Sequence, residues 1–325
     1  MKGLATVFGG SGFVGAQIIR ALARRGYRLR VAVRRPGRAY RLPMLGDVGQ
    51  IEIVQANVRD QTSVARALEG AEACVNAVAV LYESGHQSFE ALHVEGAGRI
   101  AASARAAGVS RLTHISALGA NADSPSAYAR TKAAGEAAVR SGFPEAVVVR
   151  PSVIFGPGDA FFNRFAAMAV STPALPLIGG GATRFQPVFV GDVAAAVVAT
   201  LADPSAQGLT YELGGPAVYS FEALMRLMLA VIERRSPLLS IGFGAARRLG
   251  QLGDLMARTG FITPLITSDQ VELLRVDNVV APGVRGLAEL GVSPTPVEAV
   301  IPTYLYRYRK GGQYAEALHA PAAAA

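Results

Sequence analysis

The chain of 325 residues has no tryptophan, a single cysteine and no acidic residue before Asp47. Each absence excludes something. A lone Cys74 cannot close an internal disulfide. The apolar run "ACVNAVAV" around it predicts a buried, inert thiol rather than a nucleophile. No apolar run approaches the ~20 residues that would span a bilayer. The opening "LATVF" already reads as a strand, so neither a secretory leader nor a serine-rich transit segment is expected. These features predict a soluble protein of a reducing compartment, most simply the bacterial cytoplasm. The histidines, His86, His93, His114 and His319, are scattered, and no His/Cys/Asp/Glu spacing suggests a metal.

The late first carboxylate also concentrates charge. The net charge is +8, yet residues 1–46 hold Lys2 and nine arginines against no acid, so the remainder is slightly acidic. Nucleic acid is not expected as a partner, because aromatic interleaving and binding motifs are missing. A local site for a phosphorylated ligand fits the asymmetry, as does an anionic partner surface.

What is present is a regular alternation. "LATVF" precedes the amphipathic "AQIIRALARRG", followed by "YRLRVAV", "IEIVQANV", "TSVARALEG", "ACVNAVAV", "GAGRIAASARAAG", "RLTHIS", "SAYARTKAAGEAAVRSG" and "EAVVVRPSVIFG". Near-continuous apolar strands between helical segments predict an α/β fold, a doubly wound parallel sheet covered on both faces. Beyond about residue 155 the pattern loosens, and a helical, arginine-dotted region is expected from Phe221 to about Leu274. The expected division is a Rossmann domain over 1–155 with returning segments at about 185–213. A smaller, mainly helical C-terminal domain takes 156–184 and 214–314, and 315–325 forms a frayed tail.

In "VFGGSGFVG", glycines recur at Gly9, Gly12 and Gly15 between the first strand and first helix. Such a loop lets backbone approach a pyrophosphate, while the helix N-terminus offers unpaired N–H groups to it. Ser11, Phe13 and Val14 complete the loop. At the end of the second strand, "VAVRRPGR" supplies Arg34 and Arg35, with Arg38 nearby, where a carboxylate would select a free ribose 2′-OH. Arginine there favours a 2′-phosphate, hence NADP(H). A solvated basic edge is the plainer reading.

Spacing and order here resemble the extended and atypical short-chain dehydrogenase/reductase superfamily. That resemblance places Asn57 and Val58 beside the adenine, Ala77, Val78 and Ala79 along the cofactor, and Pro151, Ser152 and Val153 near the nicotinamide. It gives "YARTK" a role: Tyr128 as general acid/base, with Lys132 on the nicotinamide ribose lowering the phenol's pKa in active relatives. It also exposes departures. In "HISALGA", Ser116 takes the first position of the usual serine-rich motif, but Leu118 falls where the catalytic hydroxyl belongs, and leucine cannot hydrogen-bond. His93 stands where the superfamily commonly has a structural asparagine. A two-residue shift in alignment would let Ser116 serve instead. Tyr128, Lys132 and Ser116 are therefore vestigial catalytic candidates.

The second half narrows the resemblance. "FPEAVVVRPSVIFGPGDAFFNRFAAM", "QPVFVGDVAAAVV", "GFITPLITSDQVELLRVDNVV" and "GLAELGVSPTPVE" are similar to the nucleotide-binding accessory subunits of respiratory complex I, over nearly the whole chain. This resemblance implies tightly held NADPH without turnover, other complex I subunits as partners, and a peripheral place on the cytoplasmic face of a bacterial inner membrane. "SPLLSIGFGAARRLGQLGDLMARTGF", with Arg247, Arg248 and Arg258, and "YLYRYRKGGQY" read either as surfaces facing a partner or lipid headgroups, or as a lid and domain edge. A free-standing NADP-dependent reductase or epimerase is the alternative, and a regulator sensing the NADP(H) ratio a third.

Overall fold

The structure, a computed structural model, describes residues 2–258 and 264–312. The expected frayed tail, the end of "YLYRYRKGGQY", the segment 259–263 and the Arg258 side chain lie outside the described residues.

Seven strands form one parallel sheet: β1 (Lys2–Phe8), β2 (Tyr27–Val33), β3 (Ile51–Gln55), β4 (Ala73–Asn76), β5 (Arg111–Ile115), β6 (Val147–Pro151) and, far along the chain, a strand at Thr210–Leu213. Their spatial order is β3-β2-β1-β4-β5-β6 and then Thr210–Leu213 at the far edge. The order reverses between β1 and β4, which creates the crevice at the carboxyl ends of the strands where such folds hold ligands. The helices α1 (Phe13–Arg24), α2 (Gln61–Leu68), α3 (Gly96–Ala106), α4 (Ala127–Gly142), α5 (Phe162–Ser171) and α6 (Val190–Ala202) follow in chain order.

Both faces of the sheet are covered, as strands apolar on both sides require. On one face Val7, Ile18, Leu22, Val31, Val193 and Val197 pack between the sheet, α1 and α6. On the other Phe8, Leu68, Ile100, Leu112 and Val139 pack under α2, α3 and α4. Cys74 is buried in this second layer, and burial pushes its thiol pKa up, in keeping with an inert role. A third core, with Phe155, Phe162, Phe221, Met225 and Leu305, holds the C-terminal lobe together through edge-to-face aromatic pairs.

The lobe carries α7 (Phe221–Val231), α8 (Phe243–Arg258) and α9 (Ser268–Leu273). The stretch expected to be helical from Phe221 to Leu274 is interrupted by a strand, Leu238–Ile241, pairing in parallel with Leu175–Ile178. The break has a local cause. Glu233 takes a positive φ of 55° just past α7, and Pro237 lacks the N–H a continuing helix needs.

Helix α8 packs by its small side. Ala246, Gly250, Gly253 and Ala257 are buried, while Leu249, Leu252 and Leu255 are 51%, 61% and 63% exposed. A Cβ on Gly253 would fall 1.9 Å from the Ile266 carbonyl oxygen, so the close approach to the following segment requires glycine.

Candidate functional site

The residues marked in the sequence gather along the carboxyl ends of β1 to β6. Gly9, with φ 79°, turns the chain out of β1, and the Gly12 amide donates back to its carbonyl at 3.0 Å. A Cβ on Gly15 would sit 2.3 Å from the Gly9 oxygen, whereas one on Gly12 would meet that oxygen at 3.3 Å and nothing closer. Gly15 is thus demanded by the protein's own packing. Gly12 leaves space above the helix end. No side chain caps α1, and its first turn has no acidic residue, so its N-terminal N–H groups and positive dipole end meet the crevice uncompensated. Ser11 is exposed beside it, and Phe13 and Val14 are half-buried.

Arg34, Arg35 and Arg38 stand exposed just past β2, the last on a short 3₁₀ turn. Arg59, which the sequence reading passed over, joins them from the turn after β3. Burial and the repulsion of Arg35, Arg59 and Arg38 together hold the Arg34 pKa below its ordinary value. Among the described residues none of these four forms an ion pair with a carboxylate. These guanidinium groups concentrate unpaired positive charge along one rim of the crevice.

Asn57 is half-buried in that turn and Val58 is buried. Past β4, the Asn76 carboxamide oxygen accepts from the Val78 amide at 3.1 Å and its Nδ2 lies 3.1 Å from His114 Nδ1. That contact fixes His114 with its proton on Nε2, a buried group that has no partner among the described residues. Ala77 and Val78 follow half-buried, and Ala79 exposed, after the end of β4.

His93 lies on a π-helical turn (Glu90–Glu95) leading into α3. Its Nε2 accepts from the Val80 amide at 3.2 Å and its Nδ1 faces the Thr131 hydroxyl at 3.2 Å. It therefore bridges the loop after β4 to α4, and stacks on Phe89 at 5.2 Å. Burial, followed by the Lys132 charge, pushes its pKa down to about 3. The same causes bring His114 to about 3.

Helix α4 begins at the cap Ser126 and carries Tyr128 and Lys132. Lys132 is 2% exposed and donates to the Ile115 carbonyl at 3.2 Å, with its Nζ 5.9 Å from the Tyr128 ring centre. Burial lowers its pKa to about 8. Burial, followed by the charge of Asp269, pushes the Tyr128 phenol up to about 12.

The other hydroxyls are occupied. Ser116 is buried and donates to Glu136 at 2.5 Å, while both oxygens of Glu136 hold the Arg150 guanidinium at 2.9 and 2.7 Å. Ser152 is buried too, donating to the Asn278 carboxamide oxygen at 2.7 Å, which also receives the Val153 amide. Leu118 is buried; its amide donates to the Pro151 carbonyl and its carbonyl receives Asn278 Nδ2 at 3.3 Å. Asp269 and Asn278 thus bind the C-terminal lobe to the cofactor end of the sheet. Neither was marked in the sequence, because a cap or clamp from over a hundred residues away has no local pattern. Among the described residues no group of His, Cys, Asp and Glu side chains could hold a metal.

A doubly wound sheet with a glycine turn at its switch point and a Tyr-x-x-x-Lys helix defines an extended short-chain dehydrogenase type of Rossmann protein. Residues 5–214 match the NAD dependent epimerase/dehydratase family, to which the chain belongs, within the branch that holds the complex I subunit 9 proteins. The Arabidopsis thaliana mitochondrial NADH dehydrogenase (ubiquinone) 1 alpha subcomplex subunit 9 is 35% identical over 316 residues, which are 95% of this chain and 79% of that protein. A ceramide reductase of Caulobacter vibrioides is 34% identical over 203 residues, 62% of each. In fold, the chain is similar to a Citrobacter triphenylmethane reductase complexed with NADP(H), at a TM-score of 0.71, 18% identity, and coverage of 92% and 99% of the two chains.

Proposed function

We propose that this chain is a non-catalytic accessory subunit of a proton-pumping NADH:quinone oxidoreductase and holds NADPH as a structural element. One observation carries the reading: Arg34, Arg35, Arg38 and Arg59 have no carboxylate partner among the described residues, while Ser116, the hydroxyl nearest in sequence to Leu118, is committed to Glu136. This combination supports binding without proton transfer. Arg34, Arg35 and Arg38 would take the 2′-phosphate, the α1 N-terminus with Ser11 and Gly12 the pyrophosphate, Asn57 the adenine side, and Lys132 the nicotinamide ribose. The bound nucleotide would carry a hydride-donating ring; the chain's own groups do no more than bind and orient it. Because the nucleotide binds only the folded chain, it stabilises the fold by mass action.

The subunit 9 relatives support other complex I subunits as partners. The outward leucines of α8, flanked by exposed Arg247 and Arg248, offer a face for them or for lipid headgroups. No helix among the described residues is long and apolar enough to cross a membrane. The subunit 9 relatives support a peripheral attachment, which in a bacterium would be to the cytoplasmic face of the inner membrane. Affinity purification after gentle solubilisation tests this: complex I subunits should co-purify, with NADPH released on denaturation.

The intact Tyr128/Lys132 pair and the similarity to a bacterial reductase favour one second reading, a free-standing NADP-dependent reductase or epimerase. A soluble chain that oxidises NADPH only when substrate is added would establish it and displace the first.

A further inference from the structure

The rim that faces the ribose has an unexpected member. The ladder between β2 and β3 pairs Val33 with Gln55 and continues one step further, the Ala56 amide donating to the Val33 carbonyl at 3.0 Å. The chain leaving β3 therefore runs beside the one leaving β2, strands in a sheet being about 4.8 Å apart. Arg34 and Arg35 leave one strand; Arg59 leaves the other.

The turn that carries Arg59 is fixed in advance. The Asn57 side-chain oxygen accepts from the Arg59 amide at 3.2 Å, and the Asn57 amide donates to Ser63 Oγ at 3.0 Å. The Asp60 amide donates to the Asn57 carbonyl at 2.8 Å, and Arg99 holds the Val58 carbonyl at 2.6 Å. Asp60, the acid closest in sequence, is engaged in capping α2 through the Thr62 and Ser63 amides. The Arg59 guanidinium thus stands exposed on a rigid turn, across from Arg34, with no carboxylate paired to it among the described residues. Its charge is close enough to be felt by Arg34, and a guanidinium there suits a phosphate approached from the β3 side.

We infer that Arg59 is a specificity-determining residue that closes the 2′-phosphate site from the β3 side, opposite Arg34 and Arg35. This rests on the NADPH reading above. It assigns the phosphate two walls, one from each strand end, so selectivity does not reside in the "RRPGR" segment alone.

The test is calorimetric titration of the nucleotide-stripped full chain with adenosine 2′,5′-bisphosphate and, in parallel, 5′-AMP. The wild type should prefer the bisphosphate. Arg59→Gln should weaken bisphosphate binding about tenfold or more and leave 5′-AMP within twofold, while Arg59→Lys, which keeps the charge, should recover part of the loss. If Arg59→Gln keeps the full preference, the inference is wrong and the NADPH reading stands. Equal weakening of both ligands would put Arg59 on the adenine, not the phosphate, and overturn it as well. A wild type with no preference would remove the NADPH reading and this inference with it.

Discussion

The Asp269 carboxylate accepts from the Ser126 hydroxyl at 2.8 Å and from the Ala127 and Tyr128 amides at 2.6 and 3.2 Å. A residue of α9 thereby caps the helix that bears Tyr128 and Lys132. Its neighbour Gln270 reaches the Leu81 carbonyl at 3.4 Å, beyond the loop after β4. Asp254 of α8 in turn accepts from the Ser268 hydroxyl at 2.5 Å, so α8, α9 and α4 are joined end to end.

Removing that cap should be felt in both lobes. Asp269→Ala deletes an acceptor for orphan N–H groups and a negative charge at a helix N-terminus, costing about 1–2 kcal/mol. Urea unfolding should show the loss, and NADPH affinity should fall because α4 positions Lys132. Asp269→Asn, which keeps an acceptor, should retain part of the stability. An unchanged midpoint in Asp269→Ala would contradict the capping role.

Acid should destabilise the chain well before its carboxylates titrate. His93 and His114 are held near pKa 3 in the fold, against about 6.5 when unfolded. Between those values the unfolded state binds more protons, so stability is lost as pH falls through 6.5. Each histidine should account for about 2 kcal/mol between pH 7 and 5. Unfolding midpoints over that range check it: His114→Asn should flatten the slope, and a wild-type curve level from pH 7 to 5 would refute it.

The Glu136–Arg150 pair should be structural and separable from nucleotide binding. Glu136 is 5% exposed, so Glu136→Ala leaves Arg150 without its bidentate partner and Ser116 without its acceptor. A loss of about 3 kcal/mol is expected, at the lower end for breaking a buried pair because Arg150 keeps Glu212 at 3.4 Å. Ser116→Ala should cost about 1 kcal/mol. A double-mutant cycle for Ser116 and Glu136 reads their coupling; an additive result would show that the short hydrogen bond contributes nothing.

The parallel sheet was legible because apolar runs and helical periods alternate over residues 1–155, and the glycine spacing located its switch point. Residues that act across the chain were not. Asp269, Asn278 and Arg59 become meaningful only when distant segments meet. The helix α8 was recognisable from its period, yet its burial runs against simple hydrophobicity. Gly250 and Gly253 allow an approach that leucine cannot make, so packing selected the small face and left the large one outside.

That inversion predicts opposite outcomes for neighbouring residues. Leu252→Ser changes an exposed side chain and should leave the thermal midpoint of the isolated chain within about 2 °C. It should nevertheless reduce recovery of the chain with complex I subunits. Gly253→Ala puts a methyl against the Ile266 carbonyl and should lower stability by about 1–3 kcal/mol. Recovery unaffected by Leu252→Ser together with Leu255→Ser would remove α8 from the docking surface.

The glycine loop separates folding from binding in the same way. Gly15→Ala forces a methyl to within 2.3 Å of the Gly9 oxygen, so the loop must shift and both stability and nucleotide binding should drop. Gly12→Ala meets nothing closer than 3.3 Å and has ordinary extended backbone, φ −81° and ψ 169°, so the chain should fold with a midpoint near wild type. Its methyl would occupy the space over the α1 N-terminus, where backbone must approach a pyrophosphate. NADPH affinity should therefore fall by at least about tenfold in calorimetry, equivalent to ~1.4 kcal/mol. Full-strength binding by Gly12→Ala would mean that the open space at the helix end is not where the phosphates lie.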